Sequence, residues 1–174
     1  MLRPEATFAL VSLAAVVVMM LAELRRSRAN ERLLRQQGAV EPQGDVYRAL
    51  AVVYPGLFVL MAAEGAVAGP SPDVLLVAGL AVFVAAKVLK LWAVTTLGRR
   101  WSYRVLVLPS APLITTGPYA YLRHPNYVAV FGEIAGFAML VGARMTGVIS
   151  VIAFALLVRK RIAVEERALL RPET

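Results

Sequence analysis

The chain has 174 residues, 59% of them hydrophobic, and a mean hydropathy of +0.68; roughly 45 to 50% apolar is usual for a soluble domain, so this composition describes a membrane protein. No cysteine and a single histidine are present, which excludes a disulfide framework, thiolate metal sites, a cysteine nucleophile and an imidazole cluster. The formal charge of +8 lies at the edges of apolar segments, a pattern of membrane topology and contact with anionic lipid headgroups, with no nucleic-acid partner expected.

Ala6 to Leu24 is the first expected span, since about 20 apolar residues cross a bilayer core. Arg25, Arg26, Arg28, Arg32 and Arg35 follow it, and charges behind rather than ahead of so long a run argue against a cleaved signal peptide. Tyr47 to Ala68 and Asp73 to Leu97 are the next spans, joined into a helical hairpin by the tight turn of Gly69, Pro70, Ser71 and Pro72. Glu64, near the outer end of the second span, is expected to reach headgroups, and Lys87 and Lys90 to snorkel from the last two turns of the third.

From Gly98 to Asn126 the pattern changes to an interfacial connector, beginning Arg99, Arg100, Trp101, Ser102, Tyr103, Arg104. Within it Val105 to Leu108 reads as a short strand returning near Leu113 to Thr115. Asn126 is expected to cap a fourth span, Tyr127 to Val141. Gly142 to Gly147 is then a turn, and a fifth helix starts near Val148 and runs through Arg159, Lys160 and Arg161 to Leu170.

The expected fold is therefore all-α: a polytopic membrane protein with about five transmembrane helices and a cytoplasmic connector between the third and fourth. It forms one membrane domain over residues 1–174, with three spans in 1–97 and the connector, the last two spans and the C-terminal helix in 98–174. With the N-terminus outside, only Arg3 and Arg144 remain on the outer face, as the positive-inside rule requires. The connector and the charged C-terminal helix then share the cytoplasmic face, and a site built from both opens to cytosolic cofactors.

His124 lies in the run Thr116, Gly117, Pro118, Tyr119, Ala120, Tyr121, Leu122, Arg123, His124, Pro125, Asn126, Tyr127. Two prolines and a glycine rule out a spanning helix there. A lone imidazole has the plain reading of a capping or satisfied group; Arg123, Tyr119, Tyr127 and a helix start beside it make an anion seat the other reading. Arg161 and Glu165, four apart, share a helix face, whether as a solvated pair worth roughly 0.3 to 0.5 kcal/mol or as part of a site; Glu166 points about 100 degrees away. Glu133, six residues inside the fourth span, is either functional or a hydrogen-bond partner for a neighbouring helix. No phosphate-binding glycine loop, dinucleotide fingerprint or serine elbow occurs.

Taken together and in order, Thr116-Gly117-Pro118-Tyr119, Arg123-His124-Pro125-Asn126-Tyr127 and Arg161-Ile162-Ala163-Val164-Glu165-Glu166 resemble the isoprenylcysteine carboxyl methyltransferase family of integral membrane enzymes, over roughly the C-terminal half. The resemblance implies an S-adenosylmethionine-dependent O-methyltransferase whose cofactor lies between the connector and the last two helices, near the cytoplasmic face. It implies that Tyr119, His124, Tyr127 and Glu166 contact the cofactor and that Arg123, Arg161 and Glu165 serve catalysis, the arginines orienting the acceptor's oxygen and Glu165 holding Arg161. The implied acceptor is lipophilic, either an isoprenylcysteine-type carboxylate or a long-chain phenol or pyrone. A carboxylate is already ionised at neutral pH, whereas a phenol with a pKa near 10 needs a base such as His124 or a glutamate, or an arginine that lowers its pKa.

Two other classes compete. A sterol- or steroid-type membrane reductase carries a similar Arg-His-Pro-Asn-Tyr run and uses a nicotinamide cofactor, but resembles a Gly-Leu-Trp lead-in where this chain has Gly117-Pro118-Tyr119. A non-enzymatic scaffold or transport subunit would bind no cofactor.

Overall fold

The computed structural model describes residues 3–109 and 111–170. Five α-helices follow one another: α1 (Pro4–Gln36), α2 (Tyr47–Ala68), α3 (Asp73–Leu97), α4 (Pro125–Val141) and α5 (Arg144–Leu170), with 3₁₀ turns at Gly98–Arg100 and Gly117–Ala120. The fold is all-α, and α1, α2 and α3, the last with its trailing turn, are long and apolar enough to cross a bilayer. This is an integral membrane protein. α4 is apolar but shorter, at 17 residues.

α1 does not stop at Leu24. Its 33 residues make a rod of about 50 Å at 1.5 Å per residue, continuing through the arginine-rich stretch because that stretch is rich in good helix formers. Ser27, Asn30 and Leu34 are buried there, at the spacing of one helix face. The helix ends where Gly38 adopts φ 84° and the Ala39 amide returns to the Leu34 carbonyl, a Schellman closure that needs a residue at ease in the left-handed region. The expected strand at Val105 to Leu108 does not pair with Leu113 to Thr115. Val107 instead makes an isolated antiparallel bridge with Val40, because the end of α1 lies alongside the connector and offers an unpaired backbone edge.

α3 and α4 pack against each other along much of their length. A Cβ built on Gly136 would lie 2.6 Å from the Phe83 backbone nitrogen, and one on Gly79 2.9 Å from the Gly136 carbonyl, so the two backbones touch. Small residues four apart allow this approach in lipid, where van der Waals packing and hydrogen bonds hold helices together; Gly132 and Gly136 are such a pair. α2 packs on the other side through Phe58 and Met61, against Ile134, Phe137 and Val141 of α4 and Phe154 and Val158 of α5.

This approach brings Glu133, fully buried, against Lys87 at 3.0 Å and Lys90 at 3.3 Å, with a further hydrogen bond from Tyr54 of α2. Glu23 of α1 completes the group, 3.1 Å from Lys87 and 2.6 Å from Lys90. The snorkelling expected of the lysines is thus overturned: Lys90 is 2% exposed, because two inward-facing carboxylates offer it a partner inside the helix bundle. Glu133 does bond to a neighbouring helix, through Tyr54. Glu64 does not reach for headgroups either; its carboxylate accepts the Met145 amide at 3.0 Å, the Thr146 amide at 2.7 Å and the Thr146 hydroxyl at 2.5 Å. It caps the positive end of α5 from a neighbouring helix, which is why α5 begins at Arg144 rather than Val148.

Gly136→Val should lower the stability of the detergent-solubilised protein by about 1 to 3 kcal/mol, the range for forcing extra atoms into a packed contact. Chemical denaturation followed by tryptophan fluorescence measures it, and an unchanged midpoint would contradict the backbone contact.

Candidate functional site

The connector is tied to α1 before it reaches any chemistry. Asn30 donates from its amide nitrogen to the carbonyls of Gly98 at 3.1 Å and Trp101 at 2.7 Å, while the Ser27 hydroxyl oxygen accepts the Tyr103 amide at 2.8 Å. The Tyr103 hydroxyl donates to Glu23 at 2.8 Å. Burial, and then the negative charge of Glu23, push the Tyr103 phenol well above its ordinary pKa, so it remains a donor. Tyr103 therefore reaches from the connector to the charged group between the helices.

On its other side the Tyr103 carbonyl accepts Arg161 Nη2 at 2.5 Å. Arg161 is 4% exposed, which for a guanidinium requires that its donors be satisfied. Nη1 pairs with Asp45 from the segment between α1 and α2, and Nε donates to the Tyr127 hydroxyl at 3.2 Å. That hydroxyl donates in turn to Glu165 at 2.8 Å. Arg161 and Glu165 do share one face of α5, but among the described residues the ion-pair partner of Arg161 is Asp45. Glu165 is linked to Arg161 through Tyr127, because the phenol oxygen sits between them and Asp45 supplies the nearer carboxylate.

His124 occupies the N-cap position of α4, with Pro125 first in the helix. Proline suits that place, its missing amide being one of those left unbonded there anyway; Asn126, expected as the cap, falls inside the first turn. The His124 ring stands between two carboxylates of α5, with Nε2 3.3 Å from Glu166 and Nδ1 3.9 Å from Glu165. It is tilted over the Tyr127 ring, centroid to centroid 5.6 Å. Tyr119, on the turn Gly117–Ala120, is half-buried; burial, and then the charge of Glu165, raise its phenol pKa. Arg123 is exposed.

His124, Tyr127, Arg161, Glu165 and Glu166 thus form one linked group, with Tyr119 in the field of Glu165 and Arg123 outside. Asp45 and Tyr103 were not singled out in the sequence: a lone acid in a loop has no periodicity to mark it, and Tyr103 acts on Arg161 through its backbone. With Arg161 and Asp45 cancelling each other, Glu165 and Glu166 give the group a negative character. Two carboxylates beside aromatic rings form a donor set suited to a cationic ligand with polar arms. An apolar cleft of about 380 Å³ lies toward the other end of α4, between Met139, Val148, Val151 and Ile152, and shares no residue with this group.

The model of the isoprenylcysteine carboxyl methyltransferase family matches residues 78–171, a stretch holding every residue of the group but not Asp45. The sequence is 31% identical to the uncharacterized protein YpbQ of Bacillus subtilis (strain 168) over 157 residues, 90% of this chain and 94% of that one. It is 36% identical to the nickel-cobalt-cadmium resistance protein NccN of Alcaligenes xylosoxydans xylosoxydans over 77 residues, 44% of this chain and 36% of that one. An uncharacterized protein of Haemophilus influenzae is 26% identical over 92 residues, 52% of this chain and 54% of that one. No solved structure matches.

Tyr127→Phe leaves the buried Nε of Arg161 without an acceptor and should cost about 1 to 3 kcal/mol, the penalty for an orphaned buried polar group. Exposed Arg123→Ala should stay within about 0.5 kcal/mol. Denaturant unfolding of both variants in one detergent checks the contrast, and equal effects would contradict the geometry.

Proposed function

The chain belongs to the isoprenylcysteine carboxyl methyltransferase family, and on that premise we propose that it is an S-adenosylmethionine-dependent O-methyltransferase acting on a lipophilic acceptor at the cytoplasmic membrane face. The observation that carries this reading is the convergence of two distant sequence runs, with His124 and Tyr127 from the start of α4 meeting Glu165 and Glu166 from the end of α5. S-adenosylmethionine, when bound, supplies an electrophilic methyl group on a sulfonium. The residues present suit that cofactor: Glu165 and Glu166 answer its positive charge, and Tyr119, Tyr127 and His124 offer rings and polar edges to its remaining parts.

Methyl transfer of this kind is an in-line displacement, for which alignment and exclusion of water supply most of the acceleration. Tyr119, with its pKa raised by burial, stays protonated and serves as a donor rather than a base. Arg161, buried with its guanidinium bonded internally, serves by holding Tyr127. Arg123, exposed beside His124, is the arginine left to meet an anionic acceptor. An isoprenylcysteine-type carboxylate needs no base; a long-chain phenol or pyrone would give its proton to Glu165 or His124.

In the topology we propose, α4 and the apolar first half of α5 also cross, making five spans. At 17 residues α4 covers about 26 Å, close to the hydrocarbon thickness of roughly 30 Å. The N-terminus lies outside and the site and C-terminus lie in the cytoplasm, by the distribution of arginine and lysine. Membrane lipid is the route by which the acceptor arrives.

The test is transfer of labelled methyl from S-adenosylmethionine by the purified full chain to N-acetyl-S-farnesylcysteine and, separately, to a long-chain alkylphenol. Labelled product from at least one is expected. Arg161→Ala should lower kcat by about 10²-fold or more and, by releasing the cofactor-facing Tyr127, raise the KM for S-adenosylmethionine several-fold, whereas His124→Ala should act mainly on that KM, raising it about tenfold. No transfer to either acceptor would count against the reading, and normal turnover by Arg161→Ala would remove the role given to that face of α5.

A further inference from the structure

Asp45 lies outside the segment matched by the family model, and the methyl-transfer reading gives it no part. Its side chain is nonetheless 4% exposed and bonded through both oxygens. Oδ1 accepts the Tyr47 amide at 3.0 Å and pairs with Arg161 Nη1; Oδ2 accepts the Val105 amide at 3.1 Å. Two backbone amides from different parts of the chain hold this carboxylate still, so it is a fixed anchor for the guanidinium rather than a mobile counter-ion. A guanidinium is planar, with its donors in a rigid fork. Once Nη1 is fixed on Asp45 and Nη2 on the Tyr103 carbonyl, the direction of Nε is fixed too, and Nε meets the Tyr127 hydroxyl.

A phenol has one proton to donate. Arg161 Nε occupies an acceptor position on the Tyr127 oxygen, and the proton is directed to Glu165 at 2.8 Å. Glu165 Oε2 lies 3.9 Å from His124 Nδ1. The chain of dependence thus runs from Asp45 through Arg161 and Tyr127 to the carboxylate beside His124, linking the segment between α1 and α2 to the α4–α5 group.

We infer that Asp45 is a positioning residue: by fixing Arg161 it sets the direction of the Tyr127 hydroxyl and the place of Glu165 in the site. The consequence for catalysis rests on the methyl-transfer reading; the control of Tyr127 does not. A simple structural ion pair would stabilise the protein without acting on Tyr127 by way of Arg161, and this difference is measurable.

The experiment uses the full chain in detergent with 3-fluorotyrosine in place of Tyr127, read by ¹⁹F NMR. Asp45→Asn and Arg161→Gln should each move the resonance, and the double variant should move it no further than Arg161→Gln alone, whereas 3-fluorotyrosine in place of exposed Tyr121 should not respond. A resonance unmoved by Asp45→Asn, or an Asp45→Asn shift undiminished in the Arg161→Gln background, overturns the inference. If Asp45→Asn does not fold, Asp45→Glu keeps the charge on a longer arm and should give a smaller shift; no shift there overturns the inference equally. In the transfer assay Asp45→Asn should lower kcat by about 10²-fold, the effect of misplacing a reacting geometry by about 1 Å, and raise the KM for S-adenosylmethionine several-fold, because Tyr127 and Glu165 face the cofactor. Unchanged kcat with a moved resonance overturns the catalytic consequence. Absence of turnover by the unaltered chain counts against the methyl-transfer reading alone, because the fluorine resonance still tests the control of Tyr127.

Discussion

Four charges held between helices set the positions of α1, α3 and α4: Glu23 of α1, Lys87 and Lys90 of α3, and Glu133 of α4. Ionised groups at this depth are tolerated only when they face protein and each other. Two positive and two negative side chains meet that condition, with Tyr54 and Tyr103 donating the remaining hydrogen bonds. Removing one member would leave an uncompensated buried charge, so the arrangement acts as a selector of helix positions more than as a source of net stability. It works together with the glycine contact of α3 and α4, since only a close approach of those backbones brings Glu133 within reach of both lysines.

A second polar cluster, around Arg161, lies toward the charged end of the molecule, and Tyr103 joins the two. Its hydroxyl is bonded to Glu23, its amide to Ser27 and its carbonyl to Arg161. The placement of the α4–α5 group relative to the spans is therefore carried by hydrogen bonds through one connector residue. This explains why α1 extends as a helix well beyond the length that crosses lipid: its Ser27 and Asn30 are the posts to which the connector is tied.

The spans were legible wherever an uninterrupted apolar run determines structure, as in α2 and α3, whose ends agree with the sequence reading. Boundaries shifted where polar contacts decide them. α1 runs on to Gln36 because one face of its arginine-rich stretch is buried, and α5 starts early because Glu64 caps it; a capping group on another helix has no local signature. Lys87 and Lys90 were misread because snorkelling and internal pairing predict the same residues near a span end, and only the approach of α4 separates them. Within the candidate site, the two motif runs around His124 and Arg161 indicated which residues gather, while the partner of Arg161 depended on a loop acid 116 positions away.

Binding of S-adenosylmethionine by the group around His124 is the first thing the proposed activity requires. Calorimetric titration of the detergent-purified chain with S-adenosylhomocysteine and, separately, with NADPH measures it. Saturable binding of S-adenosylhomocysteine, weakened in Glu166→Ala, with no binding of NADPH is the predicted result. Binding of NADPH without S-adenosylhomocysteine would contradict it and point to a reductase, and binding of neither would leave the group as structural.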